Sequence, residues 1–284
     1  MGGLLNKPRF VPYVLFHLIL GGIGAFLVFG VTDLVASQPI PWQMGMQLPV
    51  TPVMEKIYTL HTTLLWIIGC VAVFVGALLI YVLWRFRASK NPVPSKRTHN
   101  VALEVAWTAI PAIILVAIGI PSLKLLYFMD KAVDPQLTVK VVGHQWYWSY
   151  EYPDHQIAFD SFMVESGKLQ PGQLRLLDVD RPLVVPVGTV VRVLLTSADV
   201  IHSWALPALG IKKDTVPGKL TETWFQIQKQ GTYYGQCSEI CGINHGFMPI
   251  VVKAIPKEQF THWFAQQKEV AFKGQDVHQV ALHR

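Results

Sequence analysis

Two long uncharged runs decide most of what this chain can become. Thr62 to Trp84 holds 23 residues without a charge, and Val105 to Leu123 holds 19, with Glu104 just before it and Lys124 closing it. About 20 apolar residues in a helix cross a bilayer, and only helices or closed barrels satisfy the backbone's polar groups there. The pair predicts a transmembrane helical hairpin over residues 61–128, not two buried helices of a soluble fold. Arg85, Arg87, Lys90, Lys96 and Arg97 crowd the short joint between the runs. Basic residues accumulate in cytoplasmic loops, so the joint is expected inside and everything after the hairpin outside.

Ahead of the hairpin, Lys7 and Arg9 precede an apolar stretch from Val11 to Val31, and small residues stand before Gln38. Residues 1–37 read as a signal peptide, with an uncleaved additional span as the alternative. Residues 38–60 are rich in Pro, Gln and Met and are expected to run extended on the outer side. The net charge of +6 is no sign of a nucleic-acid partner. From Asp130 to Arg284 there are 15 basic and 15 acidic residues, so the excess belongs to the membrane half.

Residues 129–270 read as an all-β domain. Leu137–Val142 alternates, Trp146–Tyr152 is aromatic, and 183–187, 190–195, 222–227, 231–235 and 249–254 are short β-branched or aromatic runs divided by Pro and Gly. Such spacing suggests a Greek-key sandwich or barrel. Residues 257–269 read as a closing helix with Phe260, Trp263 and Phe264 on one side, and 271–284 as a loose tail. The expected fold is therefore a membrane-anchored all-β protein.

The chemistry concentrates in Cys237-Ser-Glu-Ile-Cys241-Gly-Ile-Asn-His245-Gly-Phe-Met248. Thiolate, imidazole and a weak thioether are the ligands of copper electron-transfer sites. Two cysteines exceed what one copper needs, yet two thiolates can bridge two coppers, each then needing its own imidazole. His245 offers one, and His202 is the best candidate for the other. A disulfide is the commoner fate of two cysteines outside the cytoplasm, and Cys-x-x-x-Cys is also half of a zinc site. Against zinc, no second cysteine pair exists: Cys70 stands alone in an apolar run. Gly242 and Gly246 give the loop turning freedom. Acids are uneven in the same domain. Glu151, Asp154, Asp160, Glu165, Asp178 and Asp180 face only Lys168 and Arg175 across residues 151–180. That face is either merely solvated or a docking surface for a basic partner.

Two spans, then Gly143-His-Gln-Trp146-Tyr-Trp148, then Asp199-Val-Ile-His202-Ser-Trp204, then the cysteine loop closed by Met248-Pro249: in this order the chain resembles subunit II of the haem–copper cytochrome c oxidases. The resemblance runs from about residue 50 to about residue 265, and the signal-like start resembles bacterial members. It implies a cupredoxin-like domain behind the hairpin, on the periplasmic side of a bacterial inner membrane. It implies that Cys237 and Cys241 bridge a dinuclear copper centre and that His202 and His245 each cap one copper. Met248 and the Glu239 carbonyl are then weak ligands, and the Glu239 carboxylate helps bind magnesium at the boundary with subunit I. Trp146 matches the tryptophan that takes the electron from cytochrome c. Asp160, Asp178, Asp180 and Asp199 match acids near the docking face. Glu104 matches a carboxylate at the mouth of a proton pathway into subunit I. The implied partners are subunit I, other oxidase subunits, cytochrome c and the lipid membrane.

Two alternatives accompany this reading. A quinol oxidase subunit II shares the fold but lacks the copper ligands. A membrane-anchored β domain with a disulfide would serve structure or assembly. Ala198 stands where an acid is common in the family, which leaves docking strength open. The chain holds no haem ligand set, so oxygen reduction falls to a partner subunit.

Overall fold

The computed structural model describes residues 38–130 and 132–267. The signal or extra span expected over 1–37 and the tail expected over 271–284 lie outside the described residues.

The first helix, α1 (Pro52–Arg85), starts nine residues before the expected boundary, so residues 52–60 are helical and not extended. The cause is local. The Thr51 side chain accepts from the Met54 N–H at 3.0 Å, Pro52 takes the first helical position and Glu55 stands in the first turn. Polar composition concealed a complete start signal. The second helix, α2 (Val101–Asp130), opens on a reciprocal cap. Asn100 Oδ1 accepts from Leu103 N–H at 3.3 Å, and Glu104 Oε1 accepts from Asn100 N–H at 3.2 Å. Both helices are long and apolar enough to cross a membrane, and neither buries its apolar window within the chain.

Among the described residues, ten strands follow in two five-stranded sheets. The first has the order β3-β2-β1-β5-β8: β1 is Leu137–His144, β2 Tyr147–Tyr152, β3 Ile157–Ser161, β5 Val190–Ser197 and β8 Thr221–Gln226. The second has the order β4-β10-β9-β6-β7: β4 is Leu183–Pro186, β6 His202–Leu206, β7 Ile211–Thr215, β9 Gly231–Cys237 and β10 Pro249–Ile255. The pairs β1–β5 and β10–β4 are parallel and the remaining neighbours antiparallel. Along β1, β2 and β5, buried and half-exposed residues alternate, as expected when one face meets the core. Between the sheets lie Trp148, Tyr150, Tyr152, Trp204 and Phe225, all fully buried. Their polar tips are bonded: the Tyr152 hydroxyl donates to Val184 C=O at 2.6 Å and accepts from Val184 N–H at 3.2 Å.

Seven strands were legible; β3, β6 and β7 were not. Every residue of β6 is buried, so it shows no alternation. β7 is an edge strand whose Lys212, Lys213 and Asp214 disguise it, and such charges blunt an open edge. The helix predicted at 257–269 is seen over residues 257–267. Tyr152 meets Trp263 and Phe264 at centroid distances of 5.8 and 6.1 Å, so its aromatic side does close the core.

The hairpin is fastened to the β domain at both helix ends. Thr51 Oγ1 donates to Leu209 C=O at 2.8 Å, and Val50 exchanges backbone bonds with Ala208 and Gln228. The Trp224 indole N–H donates to Phe128 C=O at 3.0 Å.

Candidate metal centre

Strand pairing builds the site. β6 runs antiparallel to β9 with Trp204 opposite Cys237, and Ser238 N–H donates to Ser203 C=O at 3.0 Å. This brings His202, at the start of β6, to Cys237, at the end of β9, across 35 residues of sequence. The loop after Cys237 then turns back through a short 3-10 helix (His245–Phe247) into β10. Gly242 has φ 125°, a conformation that disfavours side chains, and a Cβ there would fall 2.9 Å from the Trp146 ring. Gly246 keeps ordinary φ, so its conformational freedom is not used.

Four ligand-type side chains meet in one buried cluster with a fifth at its edge. Cys237 Sγ lies 3.9 Å from His202 Nδ1 and 3.9 Å from Cys241 Sγ. Cys241 Sγ lies 3.5 Å from His245 Nδ1 and 3.6 Å from Met248 Sδ. His202, Cys237, Cys241 and Met248 are buried and His245 is half-buried. The Cys237 thiol also points to Glu239 C=O at 3.4 Å, while the Glu239 side chain is exposed. Both thiols are free, which sets aside the disulfide alternative for this structure. The donor set fits a thiophilic metal. Two sulfurs, each about 2.3 Å from a shared metal, can stand as far apart as these do.

The protonation states suit that role. Burial raises both thiols. At Cys237, hydrogen bonding with His202 and neighbouring groups outweighs burial and draws the thiol down. At Cys241, the adjacent Cys237 adds to burial and pushes the thiol up. Without metal the pair therefore favours one thiolate over two, and bound cation would favour both. Burial alone would lower His202, but Cys237 and Asp199 hold it above its ordinary value. Burial likewise opposes the charge on Asp199, yet His202 and two backbone N–H groups keep that carboxyl low.

Asp199 ties the cluster together. Its carboxylate lies 2.9 Å from His202 Nε2 and accepts from the N–H of Val200 and of Gln145, both at 2.6 Å. A carboxylate can only accept, so the neutral ring carries its proton on Nε2 and turns the Nδ1 lone pair toward the sulfurs. Gln145 and Trp146 close the far side: Gln145 Nε2 donates to Cys241 C=O at 2.8 Å and the Trp146 indole N–H donates to the same oxygen at 3.3 Å. Trp148 donates to Met248 C=O at 3.2 Å, and its ring meets His202 edge-on with the centroids 5.9 Å apart.

The remaining residues singled out in the sequence scatter. Asp160 is exposed on β3 and accepts from the Ser149 hydroxyl at 2.6 Å, which in turn contacts His144. Asp178 accepts from Leu174 N–H, and Asp180 accepts from Phe162 N–H at 2.8 Å and Arg181 N–H at 2.7 Å. Both brace their own excursion between β3 and β4. The acidic run is also less bare than its sequence suggests, because Lys140 crosses from β1 to pair with Glu151 at 3.1 Å. Glu104 stands at the other end of the chain's long axis of helices, within its capping box. Gln145 and Trp148 were not singled out for contacts to the ligand residues. Nor was the exposed Ile243 (86%), whose apolar surface, like that of Phe247 (47%), sits within the ligand loop. Their position inside the motif was visible; their exposure was not.

Two family models agree with this architecture. Residues 137–255 match the family model for the periplasmic domain of cytochrome c oxidase subunit II, and residues 39–125 match the model for its transmembrane domain. A probable cytochrome c oxidase subunit 2 from Rickettsia bellii is 51% identical over 242 residues, 85% of this chain and 90% of that protein. The cytochrome c oxidase subunit 2 of Oenothera berteroana is 50% identical over 230 residues, 78% of this chain and 89% of that protein. The crystallised periplasmic domain of subunit II of the Bradyrhizobium japonicum cytochrome oxidase is 49% identical, covering 49% of this chain and 98% of that one, with a TM-score of 0.46. With two apolar spans, a β-sandwich and a buried His/Cys/Cys group of the kind the family uses for copper, the chain belongs to the cytochrome c oxidase subunit II family.

Proposed function

We propose that this chain is the subunit through which cytochrome c delivers electrons to the oxidase. The observation that carries the proposal is the buried cluster itself, in which two thiols 3.9 Å apart each face an imidazole. A dinuclear copper centre, when bound, supplies a one-electron store shared between two metals. Cys237 and Cys241 would hold it as bridging thiolates, with one imidazole each from His202 and His245. Met248 sulfur and the Glu239 carbonyl would be its weak ligands. Asp199 orients His202, and the packed aromatic shell excludes water, which keeps the ligand geometry rigid.

Trp146 is the electron port. It is half-buried, and its indole N–H reaches the carbonyl of a ligand residue directly. A basic cytochrome would dock beside it, drawn by Asp160, Asp178, Asp180 and Asp199, with the exposed apolar Ile243 and Phe247 of the ligand loop as further contacts. Electrons then leave for the haem centres of subunit I, where oxygen is reduced with coupled proton pumping. The exposed Glu239 carboxylate would share magnesium with subunit I, and Glu104 would stand at the mouth of a proton pathway. The basic joint between the spans supports a periplasmic β domain on the inner membrane.

The test is the copper content and EPR spectrum of the full-length chain in detergent, loaded with copper. Two coppers per chain and hyperfine structure from two equivalent nuclei are expected. A single-copper spectrum, or a Cys237–Cys241 disulfide that excludes metal, would overturn the proposal.

A further inference from the structure

The hairpin carries a feature that electron transfer does not use. Where α1 and α2 approach the β domain, Glu55, Lys56, Thr59, Lys124 and Phe128 line a cleft of about 670 Å³. It continues along the helices into a second hollow of about 430 Å³, walled by Leu64, Ile67, Val71, Ile114 and Ile118. Leu60, Thr63 and Pro121 line both, so the two form one groove with a charged head and an apolar floor. Each volume falls in the ~300–1,000 Å³ range of small-ligand sites.

The groove's head lies at the membrane boundary. Lys124 closes the apolar run of α2, and Lys56 stands six residues before that of α1, about 9 Å along the helix. Lysines at such positions commonly extend into the headgroup layer, and that alone would explain one of them. Here two lysines from different helices and one carboxylate surround the same opening. Among the described residues none of the three charges forms an ion pair. Lys56 is held at the mouth, its Nζ 4.9 Å over the Phe128 ring. Two cations and one anion match a headgroup that carries a phosphate and a primary ammonium. An ammonium can donate charge-assisted hydrogen bonds to Glu55, which a quaternary amine cannot. Below the head, Pro121 lacks the N–H that would bond Ala117 C=O, so the groove wall is also one where the helix ladder is interrupted.

We propose that this groove is a binding site for one phosphoethanolamine phospholipid. Lys56 and Lys124 take its phosphate, Glu55 takes its ammonium, and an acyl chain lies along the apolar floor toward Val71. The site would be occupied whether or not copper is bound.

The test uses the assembled oxidase containing this chain, delipidated in detergent and titrated separately with phosphatidylethanolamine, phosphatidylcholine and phosphatidylglycerol. Native mass spectrometry counts the lipid retained. One phosphatidylethanolamine is expected on the wild type, with the other two bound more weakly. Lys56→Ala/Lys124→Ala should weaken retention about tenfold or more, the scale of one lost charge-assisted contact. Glu55→Gln should keep phospholipid but abolish the preference for ethanolamine over choline, and it decides the matter if the lysine variant does not assemble. Equal retention by wild type and variants overturns the proposal. So does a wild type that holds no lipid there because a helix of a partner subunit fills the groove, and so does a preference for phosphatidylglycerol.

Discussion

Met248 and Asp199 show how differently two residues can act on one cluster. Met248 is fully buried with its sulfur 3.6 Å from Cys241 Sγ, and a thioether is a weak copper ligand that tunes a site more than it holds one. Met248→Leu keeps volume and burial, so it should retain both coppers while shifting the reduction potential, a result read by metal analysis and redox titration. Loss of copper would show that the thioether is structural. Asp199 joins a ligand ring to the Gln145–Trp146 backbone, whereas Asp160 bonds to Ser149 and lies outside the cluster. Asp160→Asn should therefore slow cytochrome association and leave the potential unchanged. Asp199→Asn should alter both, because it weakens the bond that fixes the His202 tautomer. Identical effects from the two would mean that Asp199 contributes charge alone.

At the scale of elements, the pairing of β6 with β9 carries the centre. β6 and β9 pair closely enough that a Cβ on Gly235 would overlap the Ala205 carbonyl. Gly235→Ala should part the strands and displace Cys237 from His202, lowering copper affinity as well as thermal stability. Tyr152→Phe is a cleaner probe of the fold. It leaves the Val184 N–H and C=O without their buried partner, so a loss of about 1–3 kcal/mol is expected in denaturant unfolding, with copper content unchanged. A destabilisation of that size accompanied by copper loss would mean that the two ends of the sandwich are coupled.

For the whole molecule, the membrane hairpin and the β domain form one unit because Thr51, Val50 and Trp224 bond across their junction. An oxidase subunit anchored in this way presents its cluster of ligand side chains at a fixed height above the bilayer. The proposed docking would then depend on the field of a surface whose acids are partly neutralised, Glu151 by Lys140 and Glu165 by Lys168. Association of a basic cytochrome with the assembled oxidase should slow as ionic strength rises, because exposed charges are screened beyond about 10 Å at 0.1 M salt. A salt-independent on-rate would leave the apolar Ile243 and Phe247 as the whole recognition surface.

What could be read from residue order was whatever obeys a short period or a dense motif. Two apolar runs announced two helices, alternation announced the half-buried strands, and twelve residues carried four of the five ligand side chains. The Cys237–Met248 loop was legible because its ligands are neighbours in sequence. His202 was a candidate because two coppers need two imidazoles, but strand pairing is what brings it to Cys237, since contacts across 35 residues leave no periodic trace. The same limit hid β6, whose two buried faces erase alternation, and β7, whose edge charges imitate a loop. It hid the Lys140–Glu151 pair and the groove between α1 and α2 as well. Each of these is a property of surfaces brought together by folding, and a linear pattern records only which residues are available to meet.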